Sequence, residues 1–521
     1  MSNHHKTMLD PVTLEVLKHL VLAIPEEMGA NLRRSAFSPN IKERLDESCA
    51  LFDSRGRLIA QAEHIPVHLG AMPSAVRAVT ADFPNLEPGD QVIVNDPYRG
   101  GSHLPDITVI APFFWNKKLK GYVVNRAHHA DVGGTTPGSM PGCSTELGQE
   151  GIVIPPTLLV KNGVIQEKIL ALFKRHTRNP QERLGDLHAQ VGANRLGAGR
   201  CEDFIRRYGE RQFDVFVDAI IEYSRARVTA CLSALPDGTA QATDYLDGQD
   251  APLPITARVR LSGNRFVADF SGTAPQSPGN ENTPICVTRS AVYYVVRCLL
   301  PDDIPPNYGC YDTVDVIAPE GSLLNPVYPA AVSSGNVETS QRIVDVLLLA
   351  LHRLLPGIVP AQGQGTMNNL AIGWSNRTYY ETIAGGMGAS PTRQGASAVQ
   401  VHMTNTASTP VEVLESEYPV RVIRTALRPR SGGGGRNAGG LGVTRELEML
   451  EDAEVSIQSE RRRFAPRGIA GGQDGKRGEN WWIRADGSHT LLPGRCTFKA
   501  HKGDRIVIQT PGGGGWGRQE S

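Results

Sequence analysis

Two short polar segments, Asn95–Asp106 and Ala127–Asp131, constrain this 521-residue chain more than any other part of its sequence. The first segment contains a His-x-x-Asp motif, and the second contains a His-His pair. Neutral imidazole nitrogens together with carboxylate oxygens suit divalent metals such as Zn, Mn or Fe. The two segments therefore predict a metal site, with a hydrogen-bonded polar loop as the alternative.

The sequence between these segments predicts how they meet. Ile107–Phe114 and Tyr122–Ala127 have the apolar and β-branched composition of strands, and Lys118–Gly121 is predicted to form the turn between them. Such a hairpin would return the His-His pair toward the His-x-x-Asp motif.

The candidate ligands follow from local backbone chemistry. Pro105 lies between His103 and Asp106, and proline keeps the residue before it out of the helical region. The motif is therefore predicted to be extended or turned. Since successive strand residues face opposite sides, only one of His128 and His129 is predicted to join the other two residues.

Balanced charge argues against two broad classes of partner. The chain has 54 basic and 54 acidic residues, with a pI near 7.2, so nothing in it indicates binding to nucleic acid or to an anionic membrane. Its length predicts roughly two to four domains. Its 55 glycines and 36 prolines predict a fold rich in turns and loops.

The chain contains no segment typical of a membrane-spanning helix. The most apolar candidate, Ile343–Leu355, is too short and is interrupted by Asp345, His352 and Arg353. The N-terminus lacks the apolar core of a signal peptide. The eight cysteines form no Cys-x-x-Cys pair, which predicts reduced, scattered thiols. We therefore expect a cytoplasmic protein.

Local patterns in the first half predict helices and at least one hairpin. Asp10-Pro11 is typical of a helix start, followed by an apolar run from Val12 to Ile24. Cys49–Phe52 and Leu58–Ala60 predict a hairpin. Residues 180–232 are predicted to be mostly helical.

One stripe on the predicted 180–232 helix is open to two interpretations. Asp186, Gln190 and Asn194 are spaced by four, so they line one helix face. The stripe is either a solvated surface or a functional or interface surface.

The sequence pattern changes near residues 245–252, where the alternation of apolar and polar residues typical of strands begins. Ile255–Leu261 and Arg265–Phe270 predict a hairpin, and two helices are expected at about 288–300 and 339–354. The glycine runs Ser431–Gly440 and Thr510–Gly517 are predicted to form tight loops, with backbone anion nests as the alternative. Neither run is a P-loop.

These patterns predict a multi-domain α+β fold with mixed sheets, flanking helices and many Gly/Pro-rich loops. We expect three regions: residues 1–250 with the metal site and catalysis, residues 251–430 as a central α/β region, and residues 431–521 as a Gly-rich β region.

Several motifs together resemble the hydantoinase B/oxoprolinase family, and the resemblance covers essentially the whole chain. The matching stretches are Glu43–Asp46, Ser48–Ala50, His64–Gly70, Asn95–Asp106, Asn125–Gly134, Pro137–Pro141, Glu150–Pro156, Gly185–Gln190 and the two C-terminal glycine runs.

The resemblance implies a division of labour between two kinds of polypeptide. ATP-Mg is held by an A-type subunit, which phosphorylates the lactam or carbonyl oxygen, while the B-type subunit, which this chain is similar to, carries a divalent metal. The family's metal ligands match His103, Asp106 and His128, and its further acidic residue matches Asp46, as a ligand or general base. Residues expected to support the site without direct ligation are His64, His68, Asp96, His129 and Asp131.

The resemblance also implies the chemistry and its alternatives. We expect an ATP-dependent cyclic amidase that hydrolyses a lactam, hydantoin or 5-oxoproline ring, a metal-bound water attacking the phosphorylated amide. An acetone- or acetophenone-type carboxylase subunit is the alternative, and a non-catalytic scaffold is a third. A heterotetramer with the A-type subunit is expected. The sequence leaves the substrate-binding residues unknown.

Overall fold

The computed structural model describes residues 9–62 and 65–519. Its first sheet comprises seven strands from the N-terminal part of the chain: β1 Glu47–Asp53, β2 Leu58–Gln61, β3 Gln91–Val94, β4 Asp106–Trp115, β5 Lys118–His128, β6 Thr157–Lys161 and β7 Val164–Ile165. The strand order is β2-β1-β5-β4-β3-β6-β7, and every neighbouring pair is antiparallel. The hairpin β4–β5 therefore lies inside the sheet and not at its edge.

Helices cover both faces of this sheet. Within the described residues the α-helices are α1 Pro11–Ser35, α2 Pro39–Lys42, α3 Ala71–Asp82, α4 Glu167–His176, α5 Pro180–Tyr208, α6 Glu210–Ser233, α7 Ile285–Arg297, α8 Ser340–Leu354 and α9 Val411–Glu417. α1, α5 and α6 share one apolar core with Cys49 and Leu51 of β1, whereas α3 packs against Ala50 and Phe52 of the same strand. Because successive side chains of β1 face opposite sides of the sheet, this strand contributes to two separate apolar cores.

The second sheet occupies the middle of the chain. Its strands are β8 Gly238–Leu246, β9 Leu253–Ser262, β10 Arg265–Asp269 and β11 Val314–Ile317. They lie in the order β11-β10-β9-β8, with only the β10–β11 pair parallel. α7 and α8 bury apolar faces against this sheet. β8 and β9 lie on either side of residue 250, the predicted boundary between the first two regions, and pair with each other. The division into three regions stays a prediction.

The C-terminal part forms two further sheets that share one apolar core. Their strands are β12 Asn369–Gly373, β13 Thr378–Thr382, β14 Val420–Leu427, β15 Val443–Met449, β16 Ala453–Gln458, β17 Glu479–Ile483, β18 His489–Leu492, β19 Arg495–Ala500 and β20 Arg505–Gln509. One sheet has the order β13-β12-β16-β19 and the other the order β14-β15-β20-β17-β18. These mixed and antiparallel sheets with flanking helices confirm the α+β fold.

The two glycine runs pack against each other. The backbone N–H of Gly513 donates to the carbonyl of Gly440, and that of Gly433 donates to the carbonyl of Gly513, each at 2.9 Å. A Cβ on Gly513 would lie 2.0 Å from the carbonyl oxygen of Met387, so only glycine fits there. Most N–H groups of the two runs donate to backbone carbonyls within the fold, which favours the tight-loop interpretation over an anion nest.

Most predicted elements are confirmed, and one turn is misplaced. The Asp10 side chain accepts a hydrogen bond from the N–H of Thr13 at 3.0 Å, a cap worth about 1 kcal/mol. The predicted turn at Lys118–Gly121 is wrong, because these residues belong to β5. The chain reverses instead at Asn116-Lys117, with φ of 48° and 64°, the left-handed geometry of a two-residue hairpin turn.

Two further expectations concern the whole chain. No helix in the described part of the chain is long and apolar enough to cross a membrane. All eight cysteines are free thiols, which confirms the predicted absence of disulfides.

Candidate metal centre

The β4–β5 hairpin brings together the three residues proposed as metal ligands. Asp106 opens β4 and is paired in register with His128, which ends β5, so their side chains lie side by side. His103 lies in the preceding turn, where the Asp106 N–H donates to the His103 carbonyl at 3.1 Å. The predicted turned geometry of the His-x-x-Asp motif is therefore confirmed.

Three potential ligand atoms converge within this cluster. His103 Nε2 lies 3.2 Å from Asp106 Oδ1 and 3.2 Å from His128 Nδ1, and the latter lies 3.3 Å from Asp106 Oδ1. All three side chains are buried. Within residues 9–62 and 65–519, no other group of three His, Cys, Asp or Glu side chains has this convergence.

Electrostatics favour neutral rings at His128 and His68 beside an ionised Asp106 carboxylate. Burial lowers the pKa of His128 to about 3 and also lowers the pKa of His68. Burial alone would raise the pKa of Asp106, but the charge of His103 and hydrogen bonds from His103, His128 and His68 outweigh it and hold that pKa well below its usual range. At neutral pH the cluster thus presents a neutral His128 ring beside the anionic carboxylate of Asp106.

This donor set fits a divalent cation. Ligands at bond lengths of about 2.0–2.2 Å in a tetrahedral arrangement lie roughly 3.4 Å apart, close to the observed separations. Two imidazoles and a carboxylate form a ligand combination suited to Zn, Mn or Fe. The residues present therefore fit the predicted metal.

The second oxygen of Asp106 is held by two side chains. Ser102 Oγ donates to Oδ2 at 2.6 Å, and His68 Nε2 lies 3.4 Å from it. The other ring nitrogen of His68 lies 2.8 Å from Ser48 Oγ. The structure thus places His68 against Asp106, where it fixes the carboxylate orientation, as expected for a supporting residue.

Asp46 lies beside the cluster, immediately before β1, the strand adjacent to β5. Its carbonyl accepts a hydrogen bond from the His128 N–H at 3.1 Å, and its side chain lines the same small cavity as the three candidate ligands. Leu45, immediately before it, has a φ of 57°, a backbone conformation that non-glycine residues rarely adopt. Burial raises the pKa of Asp46 to about 7, with the charge of Arg44 opposing this effect and that of Asp106 adding to it.

The opposite wall includes residues of β13, a distant part of the chain that sequence reasoning missed. The Tyr380 ring stacks on His128 with centroids 4.7 Å apart and planes within 9°. The buried Arg44 guanidinium lies 4.9 Å from the centroid of the same ring and donates to Thr382 Oγ1 at 3.0 Å. This wall encloses a cavity of about 20 Å³, enough for an ion or a single water.

The other predicted supporting residues lie away from the cluster. Asp131 accepts hydrogen bonds from the N–H groups of Gly133 and Gly138, at 2.9 and 3.1 Å, and so organises the following loop. Asp96 caps a short 3-10 helix by accepting the Tyr98 N–H at 2.9 Å. His64 lies outside the described residues.

His129 faces the opposite side of β5 and contacts helix α5. Its Nε2 lies 3.0 Å from Gln190 Oε1, and Gln190 donates to the Ile107 carbonyl at 2.8 Å. Asn194 donates to the Val109 carbonyl at 3.0 Å, and Asp186 accepts the Phe37 N–H at 2.7 Å. The stripe of Asp186, Gln190 and Asn194 on α5 is therefore buried against neighbouring elements. The interpretation of this stripe as a solvated surface is wrong.

Comparison with known proteins supports this architecture. A family model described as hydantoinase B/oxoprolinase matches residues 10–519. 5-Oxoprolinase 1 of Arabidopsis thaliana is 42% identical over 540 residues, covering 98% of this chain and 42% of the relative. A protein of Pseudomonas sp. (strain NS671), whose name describes the B component of a D-/L-hydantoinase, is 32% identical over 99% of this chain and 92% of its own.

A solved structure agrees over nearly the same length. The crystal structure of ATP-dependent caprolactamase from Pseudomonas jessenii matches with a TM-score of 0.91 and 28% identity, covering 98% of this chain and 91% of that chain. This chain thus spans about two fifths of the plant 5-oxoprolinase and nearly all of the hydantoinase relative. The resemblance inferred from the motifs is confirmed, and the chain belongs to the hydantoinase B/oxoprolinase family.

Proposed function

We propose that this chain is the B-type subunit of an ATP-dependent cyclic amidase that opens a lactam, hydantoin or 5-oxoproline ring. The observation that carries the proposal is the convergence of His103, Asp106 and His128 in a buried pocket. Relatives named 5-oxoprolinase, hydantoinase and caprolactamase support cyclic amides as the substrate class.

His103, Asp106 and His128 would hold a divalent metal. Such an ion supplies Lewis acidity and makes water nucleophilic near neutral pH. The protein contributes a fixed ligand frame: Ser102 and His68 orient Asp106, and the stacked Tyr380 ring orients His128.

Asp46 is proposed as the proton acceptor of the hydrolytic step. Its carboxylate lines the ligand cavity, and a pKa raised to about 7 by burial lets it accept a proton near neutral pH. The neighbouring Arg44 guanidinium is held by Tyr380 and Thr382 on the far wall, so the carboxylate faces a fixed positive charge.

A second cavity beside the metal centre has the size needed for a small ring. It encloses about 310 Å³, and Thr404 lines both this cavity and the 20 Å³ ligand cavity. Apolar side chains such as Leu348 and Val401 share its wall with the neutral amides of Gln400 and Asn405. Apolar surface with a few polar groups is typical of small-molecule sites. We propose that the cyclic amide reaches the metal centre from here.

The ATP-dependent half-reaction is assigned to a partner. An unstrained ring amide is a poor electrophile, and phosphorylation of its oxygen creates a leaving group. This chain contains no P-loop motif, and its Gly-x-Gly-x-x-Gly spacing at Gly512–Gly517 opens no helix, unlike a dinucleotide fingerprint. We propose an A-type ATP-binding subunit that supplies the activated amide, in a heterotetramer with two copies of each chain.

Reconstitution with the A-type subunit tests the proposal. Ring-opened product and released phosphate are measured over hydantoin, 5-oxoproline and caprolactam, for each chain alone and for the mixture. We expect both activities only in the mixture. Ketone and bicarbonate in the same panel test the carboxylase alternative through a carboxylated product. Micromolar binding of ATP to this chain alone, measured by calorimetry, would overturn the division of labour.

A further inference from the structure

A separate cavity of about 650 Å³ opens in the C-terminal half of the molecule. It is lined by the loop after β8 and by residues around the ends of β16, β17 and β18. Four arginines contribute to its wall: Arg462, Arg463, Arg477 and Arg495. No described residue lines both this cavity and the one at the metal centre. It is therefore a second candidate site.

Three of the four arginines have no carboxylate partner within 4.0 Å among the described residues. Arg462 donates to the side-chain oxygens of Asn368 and Asn480 at 2.8 and 2.7 Å. Arg463 donates to the Asp247 carbonyl at 3.0 Å, and Arg477 donates to the Arg463 carbonyl at 3.3 Å. The hydrogen-bond acceptors of these guanidiniums are neutral oxygens.

The acidic residues of the cavity are already engaged. Glu479 accepts a hydrogen bond from Arg428 at 2.9 Å, outside the cavity lining, and Arg495 is paired with Glu281. Asp247 accepts the backbone N–H of Arg462 at 2.6 Å.

Glu460 is buried at the cavity, where its side chain accepts the backbone N–H of Asp247 at 2.6 Å. Burial raises its pKa well above the usual range, and the charge of Asp247 adds to this effect. Besides Glu479, which is paired with Arg428, the cavity lining holds two carboxylates, Asp247 and Glu460, against the three arginines that have no carboxylate partner. The lining therefore has more cationic than anionic side chains.

The neighbouring wall is apolar. Leu491, Leu492 and Pro493 line the cavity beside the arginines, and Leu491 is 55% exposed. An occupant that covered this wall would remove apolar surface from water, which is favourable. The cavity therefore combines a cationic part with an apolar part.

We propose that this cavity binds an organic phosphate monoester, with the phosphoryl group on Arg463 and Arg477 and the organic group against Leu491–Pro493. A phosphate monoester carries about −1.5 to −2 charges at neutral pH and three terminal phosphoryl oxygens, enough to serve both arginines. Guanidinium groups bind phosphoryl oxygens in a bidentate fork. A monocarboxylate offers one charge and two oxygens to the same pair of arginines.

Calorimetric titration of the full chain tests this proposal with phenyl phosphate, inorganic phosphate and benzoate. We expect phenyl phosphate to bind most tightly, because only it satisfies both parts of the cavity. The double variant Arg463→Gln/Arg477→Gln should weaken that binding roughly tenfold or more, since it removes two charge-assisted contacts. Both residues are exposed, so the fold should survive, which circular dichroism checks.

A matched variant separates the cavity from general surface charge. Arg260→Gln/Arg424→Gln removes two exposed arginines from β9 and β14 and should leave the affinity for phenyl phosphate unchanged. Equal weakening by both double variants would overturn the site. Equal affinity for inorganic phosphate and phenyl phosphate would overturn the role of the apolar wall.

A labelling experiment locates the ligand. Cys143 lines this cavity, whereas Cys298 lines the 310 Å³ cavity near the metal centre, and both are exposed. Phenyl phosphate should slow alkylation of Cys143 and leave the rate at Cys298 unchanged, as measured by peptide mass spectrometry. Unchanged labelling of Cys143 at saturating ligand would contradict the proposed location.

Discussion

His128 and His129 are adjacent and equally buried, yet they face different surroundings. Burial lowers the pKa of both, to about 3 for His128 and about 4 for His129. His128 faces another imidazole and the Asp106 carboxylate, whereas His129 faces the neutral Gln190 amide. A depressed histidine pKa therefore does not identify a functional site by itself. The groups that converge on the ring decide its role.

The two faces of the sheet differ in which groups their polar side chains contact. On the α5 face, Gln190 and Asn194 donate to carbonyls of β4, and Asn125 bridges both residues. On the opposite face, electron-rich atoms lie within about 3.3 Å of one another and fit a cation. The first arrangement stabilises the sheet, and the second is suited to chemistry.

The largest expected effect is on ring-opening activity, which should differ between variants on the two faces of the sheet. Asp106→Ala removes the oxygen to which both ligand histidines point, so the reconstituted complex should lose ring opening by roughly a thousandfold or more. His129→Gln, on the other face, should retain most of the activity. Comparable losses in the two variants, with both folded, would remove the distinction.

Asp46→Asn tests the proposed proton acceptor. The variant keeps the shape of the side chain but cannot take up a proton. The reconstituted complex should still consume ATP in the presence of its lactam while forming little ring-opened product. Phosphate release and product are measured together, and equal loss of both would indicate a ligand or structural role instead.

A smaller effect is expected for Gln190→Ala. The truncation removes hydrogen bonds to His129, Asn125 and the Ile107 carbonyl, and it leaves buried polar groups unpaired. The free energy of unfolding should fall by about 1–3 kcal/mol, while metal content stays at the wild-type value. Denaturant titration and elemental analysis measure the two quantities, and loss of metal would show that the faces are coupled.

The pH dependence of stability gives the finest comparison. The folded pKa of His129 is about 4, below its ordinary value of 6.5, because burial disfavours the charged ring. The contribution of the neutral His129 ring to the free energy of unfolding is fully present above pH 6.5 and is lost as pH falls toward about 4. Wild type should therefore lose more stability than His129→Gln across this window. Parallel curves for the two proteins would contradict a buried neutral ring.

The near wall of the candidate metal centre was predictable because it is local in sequence. A His-x-x-Asp motif, a hairpin and a His-His pair place three residues within one supersecondary unit, and strand alternation selects one histidine of the pair. Tyr380 and Arg44 were not predictable in this way, because their contact joins β13 to residues more than 300 positions away. His68 carried a weak indication, its spacing from His64 across Pro66, and only the fold places it against Asp106.

Elements of the fold were predictable for similar reasons. The cap at Asp10 and the hairpins at 49–60 and 255–270 depend on near neighbours. The turn was misplaced because Lys118–Gly121 has a turn-like composition, while the left-handed residues Asn116-Lys117 include no glycine. The burial of the α5 stripe depends on the sheet against which it packs.

Metal content of the purified chain and two variants tests the central claim most directly. Elemental analysis should find about one divalent ion per chain in the wild type and in His129→Gln, and essentially none in folded His103→Ala. That result would tie the ion to the face of the sheet that carries His128. Undiminished metal in folded His103→Ala, or a wild type that binds none when divalent ions are supplied, would contradict the account.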